Sequence, residues 1–425
     1  MVEMKESGIT WCGDIPAHWQ IMANKYIMLK KKEICPIYKG QDILSLTMNG
    51  VIVRNLEAGG KMPTSFDGYQ KIYPNNLLMC LFDYDVTPRC IGLIKNEGLT
   101  SPAYSQFIMK NENSSRYYYY YYLMIDNTKE LLHLAKNLRH SFTEDQLGAI
   151  KTPVPPLDEQ NRIAEFLDDR CAEIDAISSE IQEQINTLEE YKKSVITEAV
   201  TKGLNPNAEM KDSGIEWIGD IPKNWEVKRT KYASKSFSKG NGITKEDVDL
   251  DGDIKCIRYG EIYSKYDIKC RSCVSATNLS KINSPKYISN GDILFAGTGE
   301  LIEEIGKNIV YTGDEPCLAG GDIIILKHNQ NPIFLNYALC SQYAQTQKSY
   351  GKAKLKVVHI SAFEIGNVKI ALPPIEEQNK IANYLDNKCS EIDGAIEDKQ
   401  KQLETLEDYK KTLIYEYVTG KKEVA

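Results

Sequence analysis

No stretch of about 18 uncharged apolar residues occurs in this 425-residue chain, so a membrane-spanning helix is not expected. The opening MVEMKESGIT lacks a basic segment followed by an apolar one, so no secretory leader is expected and the expected location is the cytoplasm. Eleven cysteines are an odd number without regular spacing, which argues against a disulfide framework and for reduced thiols. Only Cys270 and Cys273 are paired in sequence, and no second CxxC or CxxH lies at a suitable distance to complete a zinc site. The five histidines (His18, His133, His140, His328 and His359) show no metal-ligand spacing. No Walker A sequence occurs, and Gly297-Thr298-Gly299 starts like a nucleotide-binding turn but runs into Glu300, an acid where phosphate would approach. With 42% hydrophobic and 26% charged residues, what remains is a globular chain long enough for two or three cores.

The net charge of −7 is unevenly placed. Residues 1 to 152 carry 17 Lys+Arg against 15 Asp+Glu and residues 203 to 370 carry 22 against 20, so each is +2. Residues 153 to 202 carry 5 against 12, and residues 371 to 425 carry 8 against 12. The acid is confined to two segments, which leaves the others able to present a basic face to phosphates.

A two-part internal repeat sets the organisation. Ser7-Gly8-Ile9-Thr10-Trp11-Cys12-Gly13-Asp14-Ile15-Pro16 with Trp19 recurs 206 residues later as Ser213-Gly214-Ile215-Glu216-Trp217-Ile218-Gly219-Asp220-Ile221-Pro222 with Trp225. Pro155-Pro156-Leu157-Asp158-Glu159-Gln160-Asn161, continuing to Asp175, recurs 218 residues later from Pro373-Pro374-Ile375-Glu376-Glu377-Gln378-Asn379 to Asp393. The material between the boxes, about residues 20 to 152 and 226 to 370, resembles itself far less. The Trp pairs flank a Gly-Asp-Ile-Pro turn and read as packing residues.

Each Pro-Pro box opens a long segment almost free of Gly and Pro, with acids in its first turn, which predicts a helix. Ile174, Ile181, Leu188 and Val195 recur every seven residues, with Ile177, Ile185, Tyr191 and Ala199 widening the stripe. In the second copy Ile392, Ile396, Leu403, Leu406, Tyr409 and Leu413 do the same. These are coiled-coil seams, and each stripe expects the other as its partner. An uninterrupted helix from Leu157 to Lys202 would span about 69 Å, with a break near Asp168 to Cys171 as the alternative. Within the intervening segments, Asn76 to Phe82, Asp292 to Ala296 and Ile323 to Lys327 read as strands, and the run Tyr117 to Tyr122 as a partly buried helix rather than a base-stacking surface.

The duplicated PPL-x-EQ-x-x-I box with its helix, and the S-G-I-x-W-x-G-D-I-P-x-x-W box before each variable segment, resemble the specificity (S) subunit of Type I restriction-modification systems over the whole chain. The resemblance implies an α/β (α+β) fold with two target-recognition domains in a pseudo-two-fold arrangement, separated by two long antiparallel coiled-coil helices. The corresponding segments are 1–152 (first recognition domain), 153–204 (first spacer helix), 205–370 (second recognition domain) and 371–425 (second spacer helix). Each recognition domain is then expected to read one half of a split target in double-stranded DNA. The helices set the gap and dock two methyltransferase subunits, and motor-nuclease subunits join for cleavage. No catalytic site, metal or cofactor is expected in this chain; S-adenosylmethionine, ATP and magnesium are implied for the partner subunits. The nearest match to an amino-methyltransferase N-P-P-[FY] motif, Asn331-Pro332-Ile333-Phe334, lacks the second proline. The alternative is a coiled-coil scaffold whose inserts bind protein.

Candidate phosphate contacts are the Lys and Arg clusters. In the second insert these are Lys228, Arg229, Lys231, Lys235 and Lys239, and then Lys352, Lys354 and Lys356 before the second box. In the first insert Lys136, Arg139 and His140 hold the corresponding place before the box, with Arg54, Lys61 and Arg89 in loop-like sequence.

Overall fold

Pro155-Pro156 and Pro373-Pro374 each follow a short strand, Lys151–Val154 or Lys369–Leu372, and each is followed by an unbroken helix, Leu157–Lys202 or Ile375–Val418. A computed structural model describes residues 3–57, 63–135, 140–352 and 357–424 of the chain. No break occurs between Asp168 and Cys171, and Gly394, which costs about 1 kcal/mol relative to alanine, leaves the second helix continuous. The chain divides into two units, Met1–Gln182 with Lys401–Ala425, and Glu183–Gln400. Each unit therefore contains the start of one long helix and the end of the other.

In the first unit a four-stranded antiparallel sheet runs in the order Met28–Lys31, Ser105–Met109, Leu77–Met79, Ile91–Leu93. In the second unit Ser234–Lys239, Ile323–His328, Ile293–Ala296 and Asn308–Tyr311 repeat that order, and Lys269–Cys270 adds a parallel fifth strand. The three predicted strands are all present. The tyrosine run forms the helix Ser115–Thr128, with Tyr117, Tyr118, Tyr120, Tyr121 and Tyr122 buried, and its counterpart is the helix Pro332–Cys340.

The meaning of the Glu-Gln pair in each box lies in the joint it makes. Gln160, 1% exposed, accepts from the backbone N–H of Ser114 (2.8 Å), the residue that caps the tyrosine helix. Its amide donates to Asn113 Oδ1 (2.8 Å) and to the Pro155 carbonyl (2.9 Å). Gln378 repeats all three: it accepts from Asn331 N–H (3.0 Å) and donates to Gln330 Oε1 (2.9 Å) and the Pro373 carbonyl (2.8 Å). One helical turn pair further on, Asp168 accepts from the Tyr120 hydroxyl (2.7 Å) and Asp386 from Tyr337 (3.2 Å). The preceding glutamates diverge slightly. Glu159 accepts from Trp19 Nε1 (2.8 Å), whereas Glu377 takes Asn224 Nδ2 (3.3 Å) and leaves the buried Trp225 Nε1 without a partner.

Helix ends close on the N-terminal boxes in the same way. Gly420 (φ +70°) lies so close to Pro16 that a Cβ on it would sit 2.4 Å from the proline Cδ. Gly203 (φ +74°) packs against Trp225 and Glu377. Trp19 and Trp225 are buried, and Trp11 donates to the Tyr121 hydroxyl (3.0 Å); Trp217 departs from the packing expectation at 47% exposed.

Within each unit the helix segments run antiparallel. In the first, Phe166 meets Tyr417 (ring centroids 4.4 Å apart) and Lys410 binds Asp175 at 2.6 Å. In the second, Lys192 binds Asp393 at 2.7 Å and Asp267 at 2.6 Å. Lys192 and Lys410, like Asp175 and Asp393, are 218 apart, so the two lysine–aspartate clamps are copies of one another. Of the predicted stripe, Ile174, Ile181, Val195, Ile392 and Leu413 are buried, and Leu188, Ile396, Leu403 and Leu406 half-buried. Ile177 does not belong to it and is 48% exposed. At about 100° per residue it falls some 60° to one side of Ile174, while Cys171, Ser178 and Ile185 fall to the other. Tyr191 and Tyr409 are likewise exposed rather than part of the seam.

Lys348 is the one buried lysine among the described residues; its ammonium donates to the Gly306 carbonyl (2.8 Å) and Asn308 Oδ1 (3.1 Å). Burial pulls its pKa down to about 8.

Gln160→Ala and Gln378→Ala each remove the three hydrogen bonds of a buried carboxamide, and each should lower stability by about 2 to 4 kcal/mol in chemical denaturation; Glu at either site should not restore it, because a carboxylate has no N–H to donate. Lys348 is deprotonated more readily folded than unfolded, so between about pH 8 and the ordinary lysine value near 10.5 the unfolded chain holds the extra proton. Stability should therefore gain from this group as pH rises through that window and lose the gain as pH falls through about 8. Thermal melts of Lys348→Met should lack this component when compared with wild type across the same range.

Candidate nucleic-acid interface

A phosphate-binding surface needs cations whose charge is not already spent inside the protein, so the basic candidates separate by their partners. In the second unit the strand Glu226–Arg229, the turn Thr230–Ala233 and the strand Ser234–Lys239 place five of them in one stretch of backbone. Lys228 is paired with Glu226 (2.6 Å) and Lys239 with Asp322 (2.9 Å). Arg229 is exposed and makes one long hydrogen bond to Asn367 Oδ1 (3.5 Å), Lys231 lies over the Tyr232 ring, and Lys235 is exposed on its strand. Arg229, Lys231 and Lys235 thus keep their charge toward solvent.

Lys352 has a structural position. It is ion-paired to Glu364, donates to the His359 carbonyl (2.7 Å), and its side chain is only 15% exposed. Together with the Ser361 hydroxyl and backbone it holds the Glu364 carboxyl below its ordinary pKa against the opposing effect of burial. In the first unit Arg89 is similarly engaged, with Asn127 Oδ1 at 3.0 Å and Asp126 at 3.6 Å, so it ties the end of the tyrosine helix to its neighbouring strand. Arg54 is half-buried. Lys61, Lys136, Arg139, Lys354 and Lys356 lie outside the described residues.

Among the described residues no three His, Cys, Asp or Glu come together as a metal site, and no helix is long and apolar enough to cross a membrane. Cys270 and Cys273 sit in the core beside Cys317, whose Sγ is 3.0 Å from that of Cys273. Hydrogen bonding to Cys273 and burial push the Cys270 thiol above its usual range, the setting of inert core thiols.

Comparison with known proteins gives concordant results. A family model described as the Type I restriction modification DNA specificity domain matches residues 69–187 and 222–405, once in each half of the chain. The specificity subunit of the type I restriction enzyme MjaVIII of Methanocaldococcus jannaschii is 30% identical over 278 residues, 64% of this chain and 62% of that protein. The putative type I restriction enzyme MjaX specificity subunit of the same organism is 30% identical over 301 residues, 66% of this chain and 61% of that protein. The matched stretch thus spans less than two thirds of either relative. A solved chain from work on the structural basis of complex assembly and conformational transition of the type I R-M system superposes with a TM-score of 0.69. It does so over 95% of this chain and 98% of its own length at 15% identity, a likeness of fold.

The partner pattern separates the basic residues by role. Lys352→Ala should lower the melting temperature, and the salt dependence of DNA affinity should stay at its wild-type slope. Arg229→Ala with Lys235→Ala should do the reverse, flattening the plot of log affinity against log salt by about two phosphate contacts without loss of stability.

Proposed function

This chain belongs to the Type I restriction-modification DNA specificity family, and from that premise we propose that it is the non-catalytic subunit that gives such a complex its address on double-stranded DNA. The observation that carries the reading is the duplicated frame. The same glutamine joint, the same strand order and the same helix clamp support two inserts whose surfaces have diverged, as two readers of different base sequences require. Each insert reads one half of a bipartite target, and the paired helices carry the spacing between the halves.

The catalytic steps belong to partners. Two methyltransferase subunits use S-adenosylmethionine on adenine, one at each half-site, and motor-nuclease subunits use ATP and magnesium for cleavage; this chain holds none of these cofactors. The exposed apolar residues Ile177, Tyr191 and Tyr409 on the long helices are suited to docking the methyltransferases, since apolar side chains at helix surfaces gain by burial. The complex acts in the cytoplasm, where the host DNA is.

The test is an exchange. Replacing residues 20 to 152 with the matching segment of another specificity subunit, and mapping methylated adenines, should change one half of the recognised motif and leave the other half and the gap unaltered. Change in both halves would defeat the two-reader assignment.

A further inference from the structure

The 206-residue shift between the N-terminal boxes does not stop at Trp19 and Trp225. It continues through Asn24-Lys25-Tyr26 and Thr230-Lys231-Tyr232, inside segments whose neighbouring residues differ. In each copy the first residue is buried and anchored to the far end of the insert: Asn24 Nδ2 donates to the Leu147 carbonyl (2.9 Å) and Thr230 Oγ1 to the Val368 carbonyl (2.8 Å). The 218-residue shift likewise reaches back to Thr143 and Ser361, each the start of a capping box. The short helices that follow bring Gly148 and Gly366 under the lysines. A Cβ on Gly148 would lie 3.5 Å from that of Lys25, and one on Gly366 would lie 3.4 Å from that of Lys231. Each unit therefore carries the same Lys-Tyr pair on the same local arrangement of buried anchor, capped short helix and glycine.

That pair faces solvent. Tyr26 is 55% and Tyr232 71% exposed, and the lysine Nζ stands over the ring of its neighbour at 5.2 and 5.1 Å from the centroid. Among the described residues neither lysine has a carboxylate at ion-pair distance, in contrast to Lys228, Lys239 and Lys352. An exposed ring has no packing reason to be the same in two copies that have diverged around it. Side chains that read different bases must differ, so what both copies meet alike is something identical at both half-sites. The DNA backbone is that, and an unneutralised ammonium beside a phenol hydroxyl is a phosphate-binding pair. The cation–π contact keeps the ammonium beside the ring.

We propose that Lys25-Tyr26 and Lys231-Tyr232 are two equivalent phosphate clamps, one per half-site, that register each reader on the DNA backbone without contributing to base choice; this rests on the DNA-reading function proposed above. The test uses the complex of the full chain with its methyltransferase, a cognate duplex, and binding titrations between 50 and 200 mM salt. Lys25→Ala and Lys231→Ala should each make the slope of log affinity against log salt shallower by about 0.9, so that the loss over this range shrinks about threefold per lysine. The double variant should show both effects. Lys→Arg should keep the wild-type slope, Tyr26→Phe and Tyr232→Phe should weaken binding, and the methylated motif should stay the same in every variant. Wild-type slopes for both lysine variants, an effect in one copy only, or a changed motif overturns the proposal. So does loss of methyltransferase co-purification, which would assign the surface to a protein partner. A wild-type complex without affinity for DNA would instead overturn the function itself, and the clamps with it.

Discussion

Gln160 and Gln378 tie two separate stretches of chain together: the backbone N–H of the residue that caps an insert helix with the side-chain oxygen of the residue before it, and the proline carbonyl that precedes a long helix. A buried carboxamide has one acceptor and two donors to satisfy, and at each site all three are used. Everything beyond the joint follows from its direction. It fixes the angle at which the reader leaves the helix, and brings Tyr120 to Asp168 and Tyr337 to Asp386. On the insert side it takes one backbone N–H and one side-chain oxygen, Asn113 Oδ1 in the first copy and Gln330 Oε1 in the second, so it asks only for an acceptor at that position. Divergence of the inserts is compatible with a constant frame for this reason.

The long helices use charge differently from the readers. Their acidic surplus is mostly solvated, yet Asp175 and Asp393 are spent on Lys410 and Lys192, pairs that lie beside the apolar seam. An ion pair at such a place contributes modestly to stability; its larger effect is on alignment, since sliding one helix by a turn would separate both charges from their partners. The apolar seam alone is less particular, being interrupted by half-buried positions such as Leu188 and Ile396.

Much of this was legible in the sequence, because repeats and helix periodicity are local patterns. The two boxes, the long helices, the strands around Leu77–Met79 and Ile293–Ala296, and the partly buried tyrosine helix all follow from residue spacing, whereas the absence of a break between Asp168 and Cys171 does not. Heptad spacing puts Ile177 in the stripe because it tolerates a residue on either flank, and only the facing helix decides which flank is covered. The candidate interface was less legible. Lys228 and Lys352 look like any other lysine in a basic cluster until Glu226 and Glu364 are found beside them, and Glu364 is twelve residues from its partner. Lys25 carried a usable signal, the continuation of the 206 shift, but a match of two adjacent residues is weak until the buried Asn24 and Thr230 contacts show that the backbone is the same.

The division of the chain also bears on when each half can finish folding. The first unit is completed by Lys401–Ala425, and the Tyr117 hydroxyl, deep in its core, donates to the carbonyl of Val418 (2.9 Å). The 218 residues of the second unit, Glu183–Gln400, are synthesised in between. At ribosomal rates of about 5 to 20 residues per second, that is a delay of roughly 10 to 40 s during which the N-terminal core has emerged without the segment that closes it. The second unit, whose residues are contiguous, has no such wait. The unit whose core is made first is thus the last to be sealed, and until Lys401–Ala425 arrives the apolar surface that it covers stays open.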